Sequence, residues 1–275
     1  MNPLMSVAEL QERVGEVHVL DARWQLGRDD GREQYLAGHI PGAVFIDVER
    51  ELSRHGEPDE GRHPLPDDAA LAAAARRWGI RTGAPVVIYD DHRMLAASRA
   101  WWALRRAGLS DVRVLDGGWP AWLAAGGEAA TGDVQVPEGD VALASPGGAG
   151  TIDTADAAAW PQTGVLLDAR AAERYRGETE PIDPLPGHIP GARNLPIGRM
   201  LTDDSRFLPA SEIAAAFDDV GADGGKPIAA YCGSGITAAQ LALAGAIAGR
   251  EVVVYPGSWS AWSNTPGLPI ATGED

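Results

Sequence analysis

Short apolar runs alternate with amphipathic stretches along the whole chain. In the first half, VHVLDA, PVVIYD and VRVLDG have the length and composition of buried strands. AALAAAARRWGI and AASRAWWALRRAG are typical of helices, which we expect to end at Gly79 and Gly108. In the second half, VLLDAR, PIAAYC and EVVVYPG predict strands, whereas SEIAAAFDDVG and TAAQLALAGAIAG predict helices. This alternation predicts the α/β class, with open, mainly parallel sheets flanked by helices.

The two halves share four segments in the same order. LDAR at 20–23 recurs at 167–170, GHIPGA at 38–43 recurs at 187–192, VVIYD at 86–90 matches PIAAYC at 227–232, and LDGGWPAW at 115–122 matches YPGSWSAW at 255–262. Ordered repeats of this kind predict two domains of one fold, which we assign to residues 1–125 and 151–275. Residues 126–150 are rich in Gly, Pro and Ala and predict a linker.

Composition narrows the possible partners. Of the 275 residues 45% are apolar, which is enough for a sizeable core, and the formal net charge is -16. Such an acidic chain is not expected to bind nucleic acid or an anionic membrane. No run approaches ~20 consecutive apolar residues, so no membrane span is predicted. Glu9, Glu12 and Glu16 also interrupt the N-terminal region where a signal peptide would be apolar, and we expect a cytoplasmic protein.

Cysteine use points to a reducing compartment. Cys232 is the single cysteine, so the chain forms no internal disulfide and offers no thiolate cage for a metal. It comes directly after a predicted strand, before Gly233 and Gly235, with a helix expected from about Ala238. A glycine-rich turn of this kind points backbone N–H groups inward as an anion-binding nest. The same field favours the thiolate, which is the nucleophilic form of cysteine.

A lone cysteine is often only a small buried apolar residue. Comparison with the first copy of the repeat indicates whether Cys232 has a catalytic role instead. In the first half Cys232 is replaced by Asp90, within the loop DDHR. This asymmetry indicates one catalytic and one supporting domain. His39 and His188, by contrast, occur in both copies, which indicates a structural role rather than that of a general base for Cys232. A Cys–His hydrolase is therefore disfavoured.

The combination of LDAR, GHIPGA, CGSGITA at 232–238 and PGSWSAW at 256–262 resembles the tandem-domain rhodanese and 3-mercaptopyruvate sulfurtransferase family. The resemblance covers nearly the whole chain. It implies two rhodanese-like domains, a non-catalytic first one and a catalytic second one, with the site in the cleft between them. It implies that Cys232 carries sulfur as a persulfide and that the site needs neither a metal nor an organic cofactor. The loop residues expected to bind the substrate and the persulfide are Gly233, Gly235, Ile236 and Thr237.

The resemblance also bears on the sulfur donor. Relatives that prefer thiosulfate usually carry basic side chains in the cysteine loop, and this loop has none. The Gly-Ser-Gly sequence instead is similar to that of 3-mercaptopyruvate sulfurtransferases, in which a loop serine, here Ser234, joins a proton relay. Arg174 matches the arginine that binds the donor's carboxylate, and His63 matches a substrate-side histidine from the first domain. Thiosulfate remains the alternative donor.

Two positions depart from the family pattern. Glu49 stands where the relay has an aspartate, with Asp47 as a nearby substitute. A second carboxylate-binding arginine is missing from the acidic segment 178–184, and Arg176 and Arg193 are the candidates to replace it.

The resemblance implies partners and leaves two other classes open. The expected acceptor is a thiol, such as thioredoxin or a small thiol, or else cyanide. A phosphatase with a related loop would need an arginine where this chain has Ala238, which makes that class improbable. A non-catalytic binding or regulatory module is disfavoured because Cys232 is retained. Trp259 is expected to line the entrance of the site, whereas most other tryptophans are expected in packing roles.

Overall fold

The computed structural model describes residues 2–144 and 150–274, so the part of the predicted linker at 145–149 lies outside it. The described chain divides into two compact units. The first contains the residues up to Ser53, those from Pro66 to 144, and Asp203–Phe207. The second contains Arg54–Leu65, residues 150 to Thr202, and Leu208 to 274. The short segment Arg54–Leu65 is thus part of the second unit although it belongs to the first half of the sequence.

The first unit is built on a five-stranded parallel sheet in the order β1-β5-β4-β2-β3. Its elements are β1 Leu4–Met5, α1 Val7–Arg13, β2 His18–Asp21, α2 Gly31–Ala37, β3 Val44–Phe45, α3 Val48–Glu51, α4 Asp68–Arg77, β4 Val86–Tyr89, α5 Leu95–Arg106, β5 Val112–Leu115 and α6 Gly118–Ala124. The three strands predicted here are confirmed as β2, β4 and β5. Both long helices are confirmed too, and each stops two residues before its expected glycine.

The second unit repeats this plan with a four-stranded parallel sheet in the order β7-β6-β8-β9. Its elements are α7 Thr154–Ala159, β6 Val165–Asp168, α8 Ala172–Tyr175, β7 Arg193–Asn194, α9 Ala210–Asp219, β8 Ile228–Tyr231, α10 Ile236–Ile247, β9 Val252–Val254 and α11 Ser258–Asn264, with short 3-10 turns at Pro58–Glu60, Trp160–Gln162 and Ile197–Met200. Thr151 forms a parallel bridge with Val254 of β9. This bridge takes the position that β1 holds beside β5 in the first unit. No helix among the described residues is both long and apolar enough to span a bilayer.

The central strands are mostly apolar, which is typical of parallel sheets that helices cover on both faces. Every residue of β4, β6 and β8 is buried. The two-residue strands β1, β3 and β7 were not predicted, because so few residues show no alternation of polar and apolar side chains. They are recognisable only by their pairing, such as that of Leu20 with Val44 and of Leu167 with Arg193.

The repeated LDAR segment forms a buried ion pair at the end of one strand in each unit. Nη2 of Arg170 lies 2.6 Å from the carboxylate of Asp168, and Nη2 of Arg23 lies 2.6 Å from that of Asp21. Each guanidinium also donates to a loop carbonyl, that of Gly187 in the second unit. Asp168 raises the pKa of Arg170 although burial by itself lowers it. Buried charges need partners of this kind, so the repeat of this motif has a structural cause.

The repeated GHIPGA segment is also structural, as the sequence comparison predicted for its histidines. His188 is fully buried, its Nδ1 lies 2.8 Å from the carbonyl oxygen of Tyr175, and the two rings stack with centroids 3.8 Å apart. His39 has the same arrangement with Tyr35, at 3.0 Å and 4.3 Å. Each histidine therefore connects a helix to the loop that follows it.

Candidate active site

Cys232 lies directly after β8, at the carboxyl end of a central strand of the second unit. Its side chain is buried, and the whole residue is 2% exposed. In open parallel sheets this end of the strands is where ligands bind. The predicted position of Cys232 at the turn between a strand and a helix is therefore confirmed.

The loop that begins at Cys232 places a backbone N–H group against the thiol and leads into a helix. The N–H of Gly235 donates to Sγ at 3.1 Å. Gly235 has φ +81°, and a side chain there would collide with the carbonyl oxygen of Pro256 at 2.5 Å, so only glycine fits this turn. The helix α10 begins at Ile236, two residues earlier than expected, which places Ile236 and the half-buried Thr237 in its first turn. Its dipole favours a negative charge on sulfur.

Ser258 and Trp259 hold the backbone of Cys232 from the other side. The Cys232 N–H donates to Oγ of Ser258 at 3.1 Å, and the Trp259 N–H donates to the Cys232 carbonyl at 2.9 Å. Ser258 adopts φ +55°, an uncommon conformation for a residue with a side chain. Its counterpart in the first unit is Gly118, with φ +57°. Ser258 was not among the predicted site residues, although the change from glycine to serine between the two copies is visible in the sequence.

Trp259 corrects the expectation that it lines the entrance of the site. Its side chain is fully buried, and its Nε1 donates to the carbonyl oxygen of Leu185 at 2.9 Å. Its ring lies 4.7 Å from the guanidinium of Arg170. Trp259 therefore packs behind the loop and supports the buried ion pair rather than facing a ligand.

His63 and Ser234 lie together at this loop. Nδ1 of His63 is 2.7 Å from Oγ of Ser234, and both residues are buried. They are 171 positions apart in the sequence, and the contact exists because Arg54–Leu65 belongs to the second unit. The neighbouring backbone is held as well, since the Arg62 N–H donates to Oγ of Ser260 at 3.1 Å and the Ser260 N–H to the Gly233 carbonyl at 2.8 Å. A proton can pass directly between the hydroxyl and the imidazole at this distance.

Arg174, on α8, is largely buried and is bound by two carboxylates. Its Nη2 lies 2.6 Å from Glu180 and 3.3 Å from Asp183. Burial tends to raise the pKa of Glu180, but hydrogen bonds from Arg174 and from the Asp183 N–H lower it overall. Burial raises the pKa of Asp183 despite the nearby guanidinium of Arg62. The acidic segment that follows α8 thus folds back onto Arg174.

Arg62 supplies a second guanidinium group at the loop, and it was not among the predicted site residues. It forms an ion pair with Asp183, whose side chain is 1% exposed. A side chain added at Gly233 would begin 3.1 Å from Nη2 of Arg62 and 3.6 Å from Nη1 of Arg174. Both guanidinium groups therefore face the residue that directly follows Cys232. The only sequence signal was its position next to His63.

The two candidates for the missing arginine are engaged elsewhere in the second unit. Arg176 pairs with the exposed Glu178, with Nε 2.7 Å from the carboxylate, and the exposed Arg193 donates to the carbonyl of Val220 at 2.6 Å. Neither expectation of compensation is supported.

Glu49 and Asp47 lie in the first unit. Asp47 caps α3 by accepting the N–H groups of Glu49 and Arg50, which explains an aspartate at this position. Glu49 accepts a hydrogen bond of 2.7 Å from Nε1 of Trp24. Its role in the relay stays a prediction.

In the first unit, Asp90 takes the place of Cys232. The Trp119 N–H donates to the Asp90 carbonyl at 2.8 Å, as Trp259 does to Cys232. The buried Asp90 carboxylate accepts the N–H groups of His92, Met94 and Ala97, each at 2.9 Å. This loop therefore still gathers backbone N–H groups around an anion, and its own side chain supplies that anion. Burial raises the pKa of Asp90 to about 6 despite these bonds.

The raised pKa of Asp90 makes the stability of the protein depend on pH. An unfolded aspartate titrates near ~4, so between about pH 4 and 6 the folded chain binds a proton that the unfolded chain has lost. We expect stability from this group to be complete below pH ~4 and to fall by about 3 kcal/mol as pH rises through ~6. In urea denaturation, the unfolding free energy of the wild type minus that of Asp90→Asn should fall by this amount as pH rises from about 4 to above 6. A difference that stays constant from pH 4 to 7 would contradict this.

Comparison with known proteins agrees with this fold. The family model described as "Rhodanese-like domain" matches residues 6–125 and 152–265. A Mycobacterium tuberculosis protein named "Putative thiosulfate sulfurtransferase SseB" is 46% identical over 98% of this chain and 97% of its own length. A Pseudomonas aeruginosa protein named "Probable 3-mercaptopyruvate sulfurtransferase" is 43% identical over 98% of each chain.

Among solved structures, SseA of Escherichia coli, described as a 3-mercaptopyruvate sulfotransferase with the rhodanese fold, superposes with a TM-score of 0.84. It is 34% identical, and the match covers 94% of this chain and 99% of that one. A buried cysteine that accepts a backbone N–H at the start of a helix, on a duplicated parallel-sheet fold, agrees with the class of tandem-domain sulfurtransferases to which these relatives belong. The chain belongs to the family of proteins with rhodanese-like domains, and it is a sulfurtransferase.

Proposed function

We propose that the protein moves the sulfur of 3-mercaptopyruvate through a persulfide on Cys232 to a thiol acceptor, or to cyanide. The Cys232 thiolate attacks the donor's sulfur, and the carbon–sulfur bond breaks. The electron pair of that bond leaves as the enolate of pyruvate, which takes up a proton. An acceptor thiolate then attacks the outer sulfur of the persulfide and releases the Cys232 thiolate. Sulfur transfer in two half-reactions gives ping-pong kinetics.

The observation that carries this proposal is the backbone N–H group that the cysteine loop, called the cradle below, donates to the Cys232 thiol. Sγ already accepts the Gly235 N–H, at the start of the twelve-residue helix α10. In the first unit, the corresponding loop binds the two oxygens of Asp90 with three backbone N–H groups. In a persulfide of Cys232, the outer sulfur would lie one bond beyond Sγ. The carboxylate oxygens of Asp90 likewise lie one bond beyond Cγ. The cradle at Cys232 is therefore suited to an anionic persulfide, with the Thr237 hydroxyl as a further donor.

The pair formed by His63 and Ser234 is suited to protonate the leaving enolate. Their 2.7 Å contact permits proton transfer from the hydroxyl, which the imidazole then restores. Glu49, or Asp47 in its place, is the acidic member that the family resemblance adds to this relay. We assign Cys232, Ser234 and Glu49 to catalysis. The donor is bound by Arg174 and His63, and by the loop residues Gly233, Gly235, Ile236 and Thr237.

Two features favour a monocarboxylate donor over thiosulfate, which is a dianion. No basic side chain belongs to the loop from Cys232 to Ala238. The guanidinium groups of Arg62, Arg170 and Arg174 are matched by the carboxylates of Asp168, Glu180 and Asp183, so this cluster has no excess positive charge. The names of the two relatives differ in donor, so the donor must be measured.

Steady-state sulfur transfer from 3-mercaptopyruvate and from thiosulfate, with cyanide and with a dithiol as acceptors, tests the proposal. We expect kcat/KM to favour 3-mercaptopyruvate by at least about tenfold, which corresponds to one hydrogen bond or charge contact. A preference for thiosulfate would assign the chain to the thiosulfate:cyanide sulfurtransferases. Transfer from neither donor would favour a non-catalytic binding module.

The acceptor and the location are proposed on the same grounds. A persulfide must be handed to a nucleophile that can approach it, and thioredoxin or a small thiol meets this need. The single reduced cysteine and the net charge of -16 fit a cytoplasmic protein that does not bind nucleic acid or membranes. Within the chain, we propose that residues 151–275, with Arg54–Leu65 packed onto them, form the catalytic domain. The rest of residues 1–125 is then its non-catalytic partner, with 126–150 between them.

The contact between His63 and Ser234 predicts that their substitutions are not additive. We expect Ser234→Ala and His63→Gln each to lower kcat about 10²- to 10³-fold with 3-mercaptopyruvate, because general acid catalysis contributes in this range. The double variant should be no slower than the slower single variant, since both residues act in one proton transfer. The three rates, measured at saturating donor, decide this. If the fold-losses in kcat of the two single variants multiply in the double variant, the two residues act independently.

A further inference from the structure

The acidic segment after α8 places one carboxylate between two guanidinium groups beside Cys232. One oxygen of Asp183 pairs with Nη1 of Arg62, and its other oxygen lies 3.3 Å from Nη2 of Arg174. Both arginines face Gly233, the residue that follows Cys232. Nε of Arg62 is buried and has no hydrogen-bond partner in the described part of the chain. Nη2 of Arg62, by contrast, is the atom that a side chain at Gly233 would meet, at 3.1 Å, so this end of the guanidinium is placed to contact an anion at the loop.

Arg62 can take the place of the second arginine that the acidic segment lacks. That segment has no arginine between Glu178 and Pro184, and Arg176 and Arg193 are engaged elsewhere. Arg62 reaches the loop from a different part of the sequence and forms, with Arg174, a pair of guanidinium groups joined by Asp183. Two such groups held in one orientation are well suited to a planar carboxylate.

Asp183 also adds a negative charge at this position. Glu180 is paired with Arg174 and with Arg170, so it does not balance Arg62. Asp183 is the carboxylate that contacts both guanidinium groups at the loop, and its side chain is almost fully buried. Because a buried charge is weakly screened, it repels a dianion about twice as strongly as a monoanion at the same place.

We propose that Asp183 is a specificity-determining residue, which orients Arg62 and Arg174 for one carboxylate and disfavours a dianionic donor. This inference rests on the proposed sulfur transfer and deepens it, because it explains how a site with two arginines can select a monocarboxylate. Arg62 is then the second donor-binding arginine.

The test compares both donors in Asp183→Asn, in Asp183→Glu and in the control Glu178→Gln, which alters an exposed carboxylate outside this cluster. In Asp183→Asn we expect the ratio of kcat/KM for thiosulfate to that for 3-mercaptopyruvate to rise at least about tenfold, mainly through a lower KM for thiosulfate. Asp183→Glu keeps the charge and should restore the wild-type ratio, and Glu178→Gln should leave it unchanged. An unchanged or lower ratio in a folded Asp183→Asn protein overturns the proposal.

A second variant decides the matter if Asp183→Asn does not fold. Arg62→Met should raise KM for both donors about tenfold or more with little change in kcat, because it removes a binding contact and leaves Cys232 in place. An unchanged KM overturns the proposal. Where Asp183→Asn does fold, calorimetry of thiosulfate binding to the Cys232→Ser protein, with and without Asp183→Asn, tests the affinity without turnover. Tighter binding with Asp183→Asn is expected, and unchanged or weaker binding overturns the proposal. If the wild type transfers no sulfur, the proposed function fails, whereas normal transfer with an unresponsive ratio refutes only the role of Asp183.

Discussion

Replacing Cys232 with serine should lower sulfur transfer from either donor by at least about a thousandfold, the scale of losing a catalytic nucleophile. A serine hydroxyl cannot form a persulfide, and it stays protonated where a thiol ionises. The backbone contacts of residue 232 with Ser258 and Trp259 do not use the thiol, so the fold should be retained.

Two measurements check this expectation. The wild type incubated with 3-mercaptopyruvate should gain the mass of one sulfur atom, and Cys232→Ser should gain none. Because Cys232 is the single cysteine, any added sulfur is assigned without ambiguity. Overlapping thermal unfolding of the two proteins is the control. Residual turnover within tenfold of the wild type in a folded Cys232→Ser protein would refute the persulfide mechanism.

Replacing Arg170 with methionine should destabilise the protein by about 3–5 kcal/mol, the usual cost of breaking a buried ion pair. The guanidinium neutralises Asp168 and Glu180, whose side chains are 0% and 3% exposed. It also donates to the Gly187 carbonyl and stacks on Trp259, which in turn supports the backbone of Cys232. Its removal leaves the buried Asp168 without its guanidinium partner, and Glu180 keeps only its pair with Arg174.

Urea denaturation followed by circular dichroism measures this loss. Arg176→Met is the matched control, because it removes an arginine from a pair with the exposed Glu178, and it should change stability by no measurable amount. Arg23→Met should destabilise the first unit in the same way, since Arg23 forms the corresponding buried pair. Equal stability of the Arg170→Met and Arg176→Met proteins would mean that the buried pair contributes nothing.

Most of the fold could be predicted from local patterns. Apolar runs and helical periodicity located the main strands and both long helices of the first unit, because these signals lie within a few neighbouring residues. The repeats of LDAR and GHIPGA predicted the duplication, and the structure explains them by a buried ion pair and a buried histidine in each unit. The two-residue strands escaped notice because pairing, rather than composition, defines them.

The candidate site was only partly predictable. Cys232 stood out because it is the single cysteine, in a glycine-rich loop that the first copy replaces with Asp90. Ser258 was not predicted, because a positive φ is not visible in a sequence. The one available sign was that serine replaces Gly118 of the first copy at this position. Arg62 and Asp183 were missed because their ion pair joins residues 121 positions apart.

By itself the sequence determined the fold class and the duplication and indicated Cys232 as the candidate nucleophile, since each depends on neighbouring residues or on comparison of the two halves. Only the tertiary structure decided which side chains meet at Cys232. It assigned Arg54–Leu65 to the second unit, brought His63 to Ser234 and joined Arg62 to Asp183. The physical reason is that these contacts depend on how distant segments pack, and a sequence pattern records only the spacing along the chain.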